Sequence, residues 1–346
     1  MRVDKSKWNN ALIKDSIKTL RVKDAIQKKD YLLTGKYPII SQEKDFISGY
    51  CNTKDNLNEN FGEVVIFGDH TRIVKYVDFD FCIGADGVKV LRPINKLSSK
   101  YLYYFIKWSN IPSNGYSRHF KFLRDIRIQY PEDKSIQQKI AAELDSVQKM
   151  IDGYKAQLAD LDTLAQSIFL DMFGDPVHNE NSFPICTVGD IYEFRYGQGN
   201  NIPESKGNYP CYGSNGIVGY HIDFNSEDAP IIGHIGAYAG IVNWGKGKHF
   251  VTYNGVRCIL KRNDINPIYG FFLLRNQNYR NQTRGGAQPF VSYDILEAPK
   301  TFIPPLPLQQ QFTERVKSIE RQKELICQQL TDAETLMAER MQYYFS

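Results

Sequence analysis

No run of about 18 apolar residues, the minimum for a membrane-spanning helix, occurs in this 346-residue chain. Residues 1–20 lack the charged-then-apolar pattern of a secretory signal, so a soluble, cytoplasmic protein is expected. Cysteine is sparse. Cys51, Cys82, Cys186, Cys211, Cys258 and Cys327 form no CxxC pair and have no histidine grouping at zinc-ligand spacing. No metal site is expected, and the six read as buried apolar fillers or reduced surface thiols. Nor is there a Walker P-loop, an HExxH or a GxSxG. Tyr196-Gly197-Gln198-Gly199 and Gly245-Lys246-Gly247 are only Gly-x-Gly turns, too common to imply a nucleotide.

What is present is enough chain for two ordinary domains plus connecting elements, with 42% hydrophobic and 24% charged residues. The net charge of +4 hides an uneven distribution. Residues 1–134 hold 24 Lys+Arg against 16 Asp+Glu, net +8, and residues 135–175 hold 3 against 7, net −4. Residues 176–306 carry net +1 and residues 307–346 net −1. A basic block beside an acidic segment suits a protein that meets phosphates with one surface and protein partners with another, although many soluble domains are mildly basic.

The chain resembles itself at a shift near 172. Gly35-Lys36-Tyr37-Pro38 falls on Gly207-Asn208-Tyr209-Pro210, and Ser48-Gly49-Tyr50 falls near Val218-Gly219-Tyr220. Apolar strands ending in glycine follow, Val64-Val65-Ile66-Phe67-Gly68 and Pro230-Ile231-Ile232-Gly233, then Asp86-Gly87-Val88 opposite Asn254-Gly255-Val256. Aromatic stretches from Tyr101 and Ile268 come next, and then Ser117-Arg118-His119-Phe120 opposite Ala287-Gln288-Pro289-Phe290. The order is kept throughout, which a chance match of one turn would not do.

The repeat continues without gaps into two long helical segments. Ile136, Ile140, Leu144, Val147, Ile151, Tyr154, Leu158, Leu161, Ala165, Ile168 and Met172 alternate spacings of three and four, the seam of a coiled coil. Ser135 with Gln138 reads as a capping box, and Gly174-Asp175-Pro176 as the stop. In the second segment Leu308, Phe312, Val316, Ile319, Ile326, Leu330, Ala333, Met337 and Tyr344 follow the same seam, interrupted by Lys323 and Arg340. Pro304-Pro305-Leu306-Pro307 marks its start. Helices of roughly 38 residues, about 57 Å long, are expected to bury their stripes on each other as an antiparallel pair with a globular domain at either end. The expected fold is therefore α+β: recognition domains at 1–134 and 176–306, helices at 135–175 and 307–346, and an internal pseudo-twofold repeat.

At this point the sequence resembles the specificity (S) subunit of type I restriction-modification systems over essentially its whole length. The likeness lies in the two GxYP turns, in residues 212–220 (YGSNGIVGY), in Gly286-Ala287-Gln288-Pro289-Phe290, and in residues 303–311 (IPPLPLQQQ) with their echo in Tyr130-Pro131 and Gln137-Gln138-Lys139-Ile140. Residues 161–169 (LDTLAQSIF) match the family's helix end. The resemblance implies two target-recognition domains, each reading half of a split double-stranded DNA site, and two helices that set the gap. It implies a non-catalytic chain that binds no cofactor. Two methyltransferase (M) subunits would carry S-adenosylmethionine for adenine-N6 methylation, and restriction (R) subunits would use ATP and magnesium. The first half departs from the family at residues 130–135 (YPEDKS) and at Arg118-His119-Phe120, which blurs its boundary and its base contacts.

DNA reading calls for cations to meet phosphates and planar amides or guanidinium groups to meet base edges, carried on loops of a rigid scaffold. Residues 113–124 and 278–288 are such loops, and Arg118, Lys121, Arg280 and Arg284 are the leading contacts, with His119 and Gln288 beside them. Gln42 and Lys44, and opposite them Ser214 and Asn215, are further candidates; so are His70, Arg72, His234 and Tyr238 just past the glycine-ended strands. A solvated loop is the plain alternative for each cation, a structural turn for Gly213 and Gly216, and a core role for the histidines. Asn266-Pro267-Ile268-Tyr269 approaches the Asn-Pro-Pro-Tyr with which adenine methyltransferases hold an extruded base, but Ile stands at the third position and no cofactor loop accompanies it. A methyltransferase acting alone, a recognition subunit of another DNA-modifying assembly and a non-DNA helical scaffold remain alternatives.

Overall fold

The apolar runs that end in glycine fold as strands, and the two seam-bearing segments fold as uninterrupted helices. The computed structural model describes residues 3–84, 87–113, 115, 117–176, 178–199 and 207–346. Three residues of the sequence reading, Asp86, Asn114 and Tyr116, lie outside them. The chain divides into two units, Met1–Lys155 with Cys327–Ser346, and Ala156–Ile326. The long helices, Lys134–Phe173 and Leu306–Phe345, each span 40 residues and each contribute one part to either unit. The units therefore divide within the helices and not at their starts. Among the described residues no helix is long and apolar enough to cross a membrane.

In the first unit an antiparallel sheet runs in the order Ile17–Thr19, Val88–Pro93, Val64–Gly68, Val74–Val77. A second sheet runs Gly49–Cys51, Tyr37–Ile40, Phe81–Ile83, Leu57–Asn58, with its middle pair parallel. The second unit joins the matching strands into one six-stranded sheet: Tyr192–Tyr196, Gly255–Leu260, Ser226–Gly233, Val242–Val251, Tyr209–Gly213, Gly216–His221. The cause is local. Val242–Val251 is one ten-residue strand that pairs on both sides, whereas its counterpart breaks at Asp78-Phe79-Asp80 into Val74–Val77 and Phe81–Ile83. Each unit also pairs its entry and exit strands antiparallel, Asn9–Leu12 with Arg127–Tyr130 and Ile185–Thr187 with Lys300–Phe302.

A short helix packs on each sheet, Ser99–Trp108 capped by the Ser98 hydroxyl and Pro267–Arg275 capped by Asn266 with proline at its first turn. A glutamine at the head of each long helix ties it to that cap. The buried Gln137 side chain accepts from the Ser98 amide (2.8 Å) and donates to the Lys96 and Pro131 carbonyls (2.9 and 2.7 Å). Gln309 repeats the pattern with the Asn266 amide (2.8 Å) and the Asp264 and Pro304 carbonyls (3.0 and 2.8 Å). The start of the first helix differs from expectation: the Asp133 carboxylate, not a Ser135/Gln138 box, accepts from the Ser135 amide at 2.7 Å. Gly174 closes that helix with φ +76° and its amide on the Leu170 carbonyl (2.8 Å).

Within each unit the helices run antiparallel. In the first, Ile140, Leu144, Val147 and Ile151 pack with Met337, Met341, Tyr344 and Phe345 under Tyr101, Tyr104 and Phe105. Tyr344 donates to Glu143 (2.7 Å). In the second unit Phe169 and Phe173 enclose Phe312 together with Tyr269 and Phe272, and Val316 and Ile319 continue the seam. Phe169 and Phe173 were missing from the expected seam, which passed one residue earlier through Ile168 and Met172; these two are only partly buried. Leu158, Leu161, Ile326 and Leu330, towards the middle of the helices, are half-buried. The two interrupting charges are paired across to the other helix, Lys323 with Asp162 (2.9 Å) and Arg340 with Glu143 (3.1 Å).

Four cysteines, Cys51, Cys82, Cys211 and Cys258, are buried, Cys186 is half-buried and Cys327 is exposed. Cys51 and Cys82 place their sulfurs 3.3 Å apart, and burial pushes the Cys82 thiol up to about 12.

Candidate nucleic-acid interface

Each unit has a corner where the glycine-ended strand meets three sequence-distant segments. The first-unit corner rests on four backbone bonds: Gly68 N–H to the Ile73 carbonyl, Arg72 N–H to Gly68, Asp69 N–H to Gly87, and His119 N–H to Asp69, at 2.7–2.8 Å. The second unit repeats all four as Gly233 to Ile241, Gly240 to Gly233, His234 to Asn254 and Val291 to His234, at 2.8–3.0 Å. This register places Gly87 opposite Asn254, one residue from the pairing read off the sequence. Gly68 and Gly233 leave no room for a side chain, since an added Cβ would lie 2.4 Å from the Thr71 hydroxyl in one and 2.3 Å from the Tyr238 carbonyl in the other.

Around the first corner Gln42 lies against the turn after Gly68: its side-chain oxygen accepts from the His70 amide (3.2 Å) and its carbonyl from the Thr71 hydroxyl (2.8 Å). Arg72, in the left-handed region at φ +62°, spends its guanidinium on the Ile111 carbonyl (2.9 Å). His119, expected at the surface, is 1% exposed. Its Nδ1 lies 3.0 Å from the Asp69 carbonyl, and its amide bonds the same group, so it serves the framework. On either side of it Arg118 and Lys121 are exposed, the lysine ammonium 4.8 Å from the Phe122 ring centre. Lys44 is exposed as well, beside Phe46 at the rim of a depression that also includes Tyr76 and Tyr103.

The second corner is built of more aromatic material. His234, 4% exposed, stacks on Tyr196 (4.1 Å between ring centres), which stacks in turn on Tyr293 (4.3 Å). Burial, with Tyr293 and Tyr253 nearby, raises the Tyr196 hydroxyl above its usual range. His234 is thus a framework residue like His119. So is Ser214, whose hydroxyl is used on the Ile235 and Asn254 carbonyls (2.8 and 2.7 Å). Asn215, Tyr238, Arg280 and Gln288 are exposed on segments tied to this corner, for Gly236 N–H bonds the Pro289 carbonyl (2.8 Å) and Arg284 and Phe290 exchange backbone bonds. Arg284 is exposed but paired with Asp294 (2.7 Å), whose carboxyl is held low by the Ser292 hydroxyl first and by Arg284 after it. Such a surface pair is weakened by solvent, so a phosphate can compete for the arginine.

Sequence reasoning missed Asp69, Tyr196, Tyr253, Asn254 and Tyr293. Only Asn254 left a signal, as an anchor of the repeat; the tyrosines are brought together by pairings about 40 to 100 residues apart. The Asn266-Pro267-Ile268-Tyr269 segment is a helix start in the core: Asn266 caps it and Tyr269 is buried with its hydroxyl on the Phe302 carbonyl (3.0 Å). Among the described residues no group of three or more His, Cys, Asp or Glu side chains converges as metal ligands do.

The profile of the type I restriction modification DNA specificity domain matches the chain twice, at residues 5–162 and 183–335. The chain belongs to this family. It is 34% identical over 126 residues to the type I restriction enzyme EcoprrI specificity subunit of Escherichia coli, covering 34% of this chain and 31% of that protein. It is also 34% identical over 91 residues to the EcoR124I/EcoR124II specificity subunit of Escherichia coli, 25% of this chain and 22% of that one. The chain thus spans less than a third of the length of these relatives. Among solved structures, the type I restriction-modification S subunit from M. genitalium matches with a TM-score of 0.60 at 16% identity, over 100% of this chain and 98% of its own. A chain of the type I R-M system, from a structure concerned with complex assembly and conformational transition, matches at 0.52 with 12% identity, over 97% of each. At these identities the two structures speak for the fold. The family's two-copy match coincides with the duplicated corner.

Proposed function

We propose that this chain is the DNA-recognition subunit of a type I restriction-modification complex, each unit reading one half of a bipartite site. The observation that carries the reading is the duplicated corner. One backbone framework occurs twice and holds different exposed cations, amides and aromatics, as two half-sites of different sequence require. The chain itself does no chemistry and binds no cofactor. Two methyltransferase subunits bring S-adenosylmethionine and restriction subunits bring ATP and magnesium. The outward faces of the long helices serve as the methyltransferase docking surface, and the acidic balance of the first favours protein over phosphate there.

Mapping methylated adenines in a host with and without this chain, its methyltransferase partner present in both, tests the reading. A bipartite motif that depends on the chain supports it. Methylation by the purified chain alone with S-adenosylmethionine would favour the fused-enzyme alternative. DNA binding by the complex that is unmoved by Arg118→Ala with Arg284→Ala would favour the scaffold.

A further inference from the structure

We infer that Asn254 is a base-reading residue of the second unit, a role that rests on the proposed DNA reading. Asn254 and Tyr253 occupy the corner positions of a tight turn closed by the Gly255 amide on the Thr252 carbonyl (2.8 Å). The backbone of this turn is held from three sides. The Asn254 carbonyl accepts from the His234 amide (2.8 Å) and from the Ser214 hydroxyl (2.7 Å), and the Tyr253 amide donates to the Gly199 carbonyl (2.9 Å). The Asn254 side chain, by contrast, is exposed and makes no hydrogen bond among the described residues. Asn254 follows Tyr253, 44% exposed, and its carbonyl is bonded by Ser214, the neighbour of the exposed Asn215. An exposed primary amide on a fixed backbone matches the acceptor–donor edge of adenine in the major groove. No structural need explains an amide there, because every bond that positions the turn uses main-chain atoms of Asn254 or other residues.

The first unit fills the equivalent place differently. Its counterpart is Gly87, at φ +84°, where an added Cβ would meet the His70 ring at 2.8 Å and the Gln42 amide nitrogen at 3.0 Å. The amide at Asn254 therefore has no equivalent on the same residue in the first unit, and changing it bears on one half-site only.

The experiment is adenine-methylation mapping with the full chain and its methyltransferase partner, comparing wild type with Asn254→Ala and Asn254→Asp, and thermal melting as a folding control. In Asn254→Ala one position of one half-site relaxes by about tenfold or more while the other half-site is unchanged. In Asn254→Asp, which accepts but cannot donate, preference at that position moves away from adenine towards cytosine, whose amino group donates. An unchanged motif in both variants overturns the assignment. So does uniform weakening at all positions with unaltered melting, which marks a phosphate contact. If wild type itself yields no motif, the DNA reading has failed and the assignment falls with it, a result distinct from an intact motif that ignores Asn254.

Discussion

Gln137 and Gln309 each satisfy one amide and two carbonyls, the bonds to Pro131 and Pro304 being buried and the others part-buried. Gln137→Ala strands the Ser98 amide with the Lys96 and Pro131 carbonyls, and a loss of about 2–4 kcal/mol in urea unfolding is expected, with a similar loss for Gln309→Ala. Their role was not legible in the sequence, where they stood only as letters in a repeated lead. Part of what they bond lies some 40 residues away, and spacing arguments do not reach that far. The exposure of Arg118, Lys121 and Arg280 follows from the polar, basic composition of their segments, although the stretches expected as loops hold short helices, Phe120–Arg124 and Tyr279–Gln282. For His119, His234 and Ser214 the core and turn alternatives describe where the side chains lie, since each bonds backbone carbonyls, and polar residue type alone does not reveal whether a side chain serves the backbone or the solvent. His249 offers a pH test. Burial lowers its imidazole below the usual 6.5, with the Gly247 carbonyl opposing. Below about pH 6.5 the unfolded chain takes up a proton that the folded one resists, so stability falls with acidification through this range. His249→Gln should flatten that part of the profile in urea midpoints measured from pH 7.5 to 5.5.

Among the elements, the long helices were the most legible, their bounds lying within a few residues of those expected, because a strict apolar period over ten turns has few other readings. The sheets were not: whether a glycine-ended run joins a four- or a six-stranded sheet turns on the break at Asp78-Phe79-Asp80, which carries no periodic signal. Even the helices departed from a fixed heptad. A straight helix drifts by about 20° per heptad against a 3.5 repeat, so a seam extrapolated from residue 136 arrives one residue early by the second unit. The burden there falls on Phe169 and Phe173. Phe169→Ala, which empties a site among Phe173, Tyr269, Phe272 and Phe312, is expected to cost about 3–5 kcal/mol, while Ile168→Ala costs clearly less. Paired denaturation curves decide between the two registers.

At the scale of the whole molecule, both units share both helices, which ties helix length to the proposed split site. Removing four residues, one turn or about 6 Å, from the middle of each helix is expected to change the gap between half-sites while leaving the half-site sequences alone. Methylation mapping of the shortened chain reads this directly, and an unchanged gap argues against helices that set the spacing. The charge distribution adds a second expectation, since residues 1–134 carry net +8 and residues 176–306 only +1. Arg118→Ala with Lys121→Ala should lower the salt dependence of DNA binding by up to about 0.9 in log–log slope per lost phosphate contact, with little effect on sequence preference.

The pairs Lys323–Asp162 and Arg340–Glu143 bear on one more property of the helices. An unbroken apolar seam would let two antiparallel helices slip past each other by a heptad and pack nearly as well. A cation at a seam position, matched to a carboxylate on the other helix, has its partner in one alignment only. With one such match in each unit, slippage breaks two cross-helix pairs at once and leaves Lys323 only Glu320 of its own helix (3.0 Å). Within each unit the charge match thus favours one register among those that the apolar seam alone would permit.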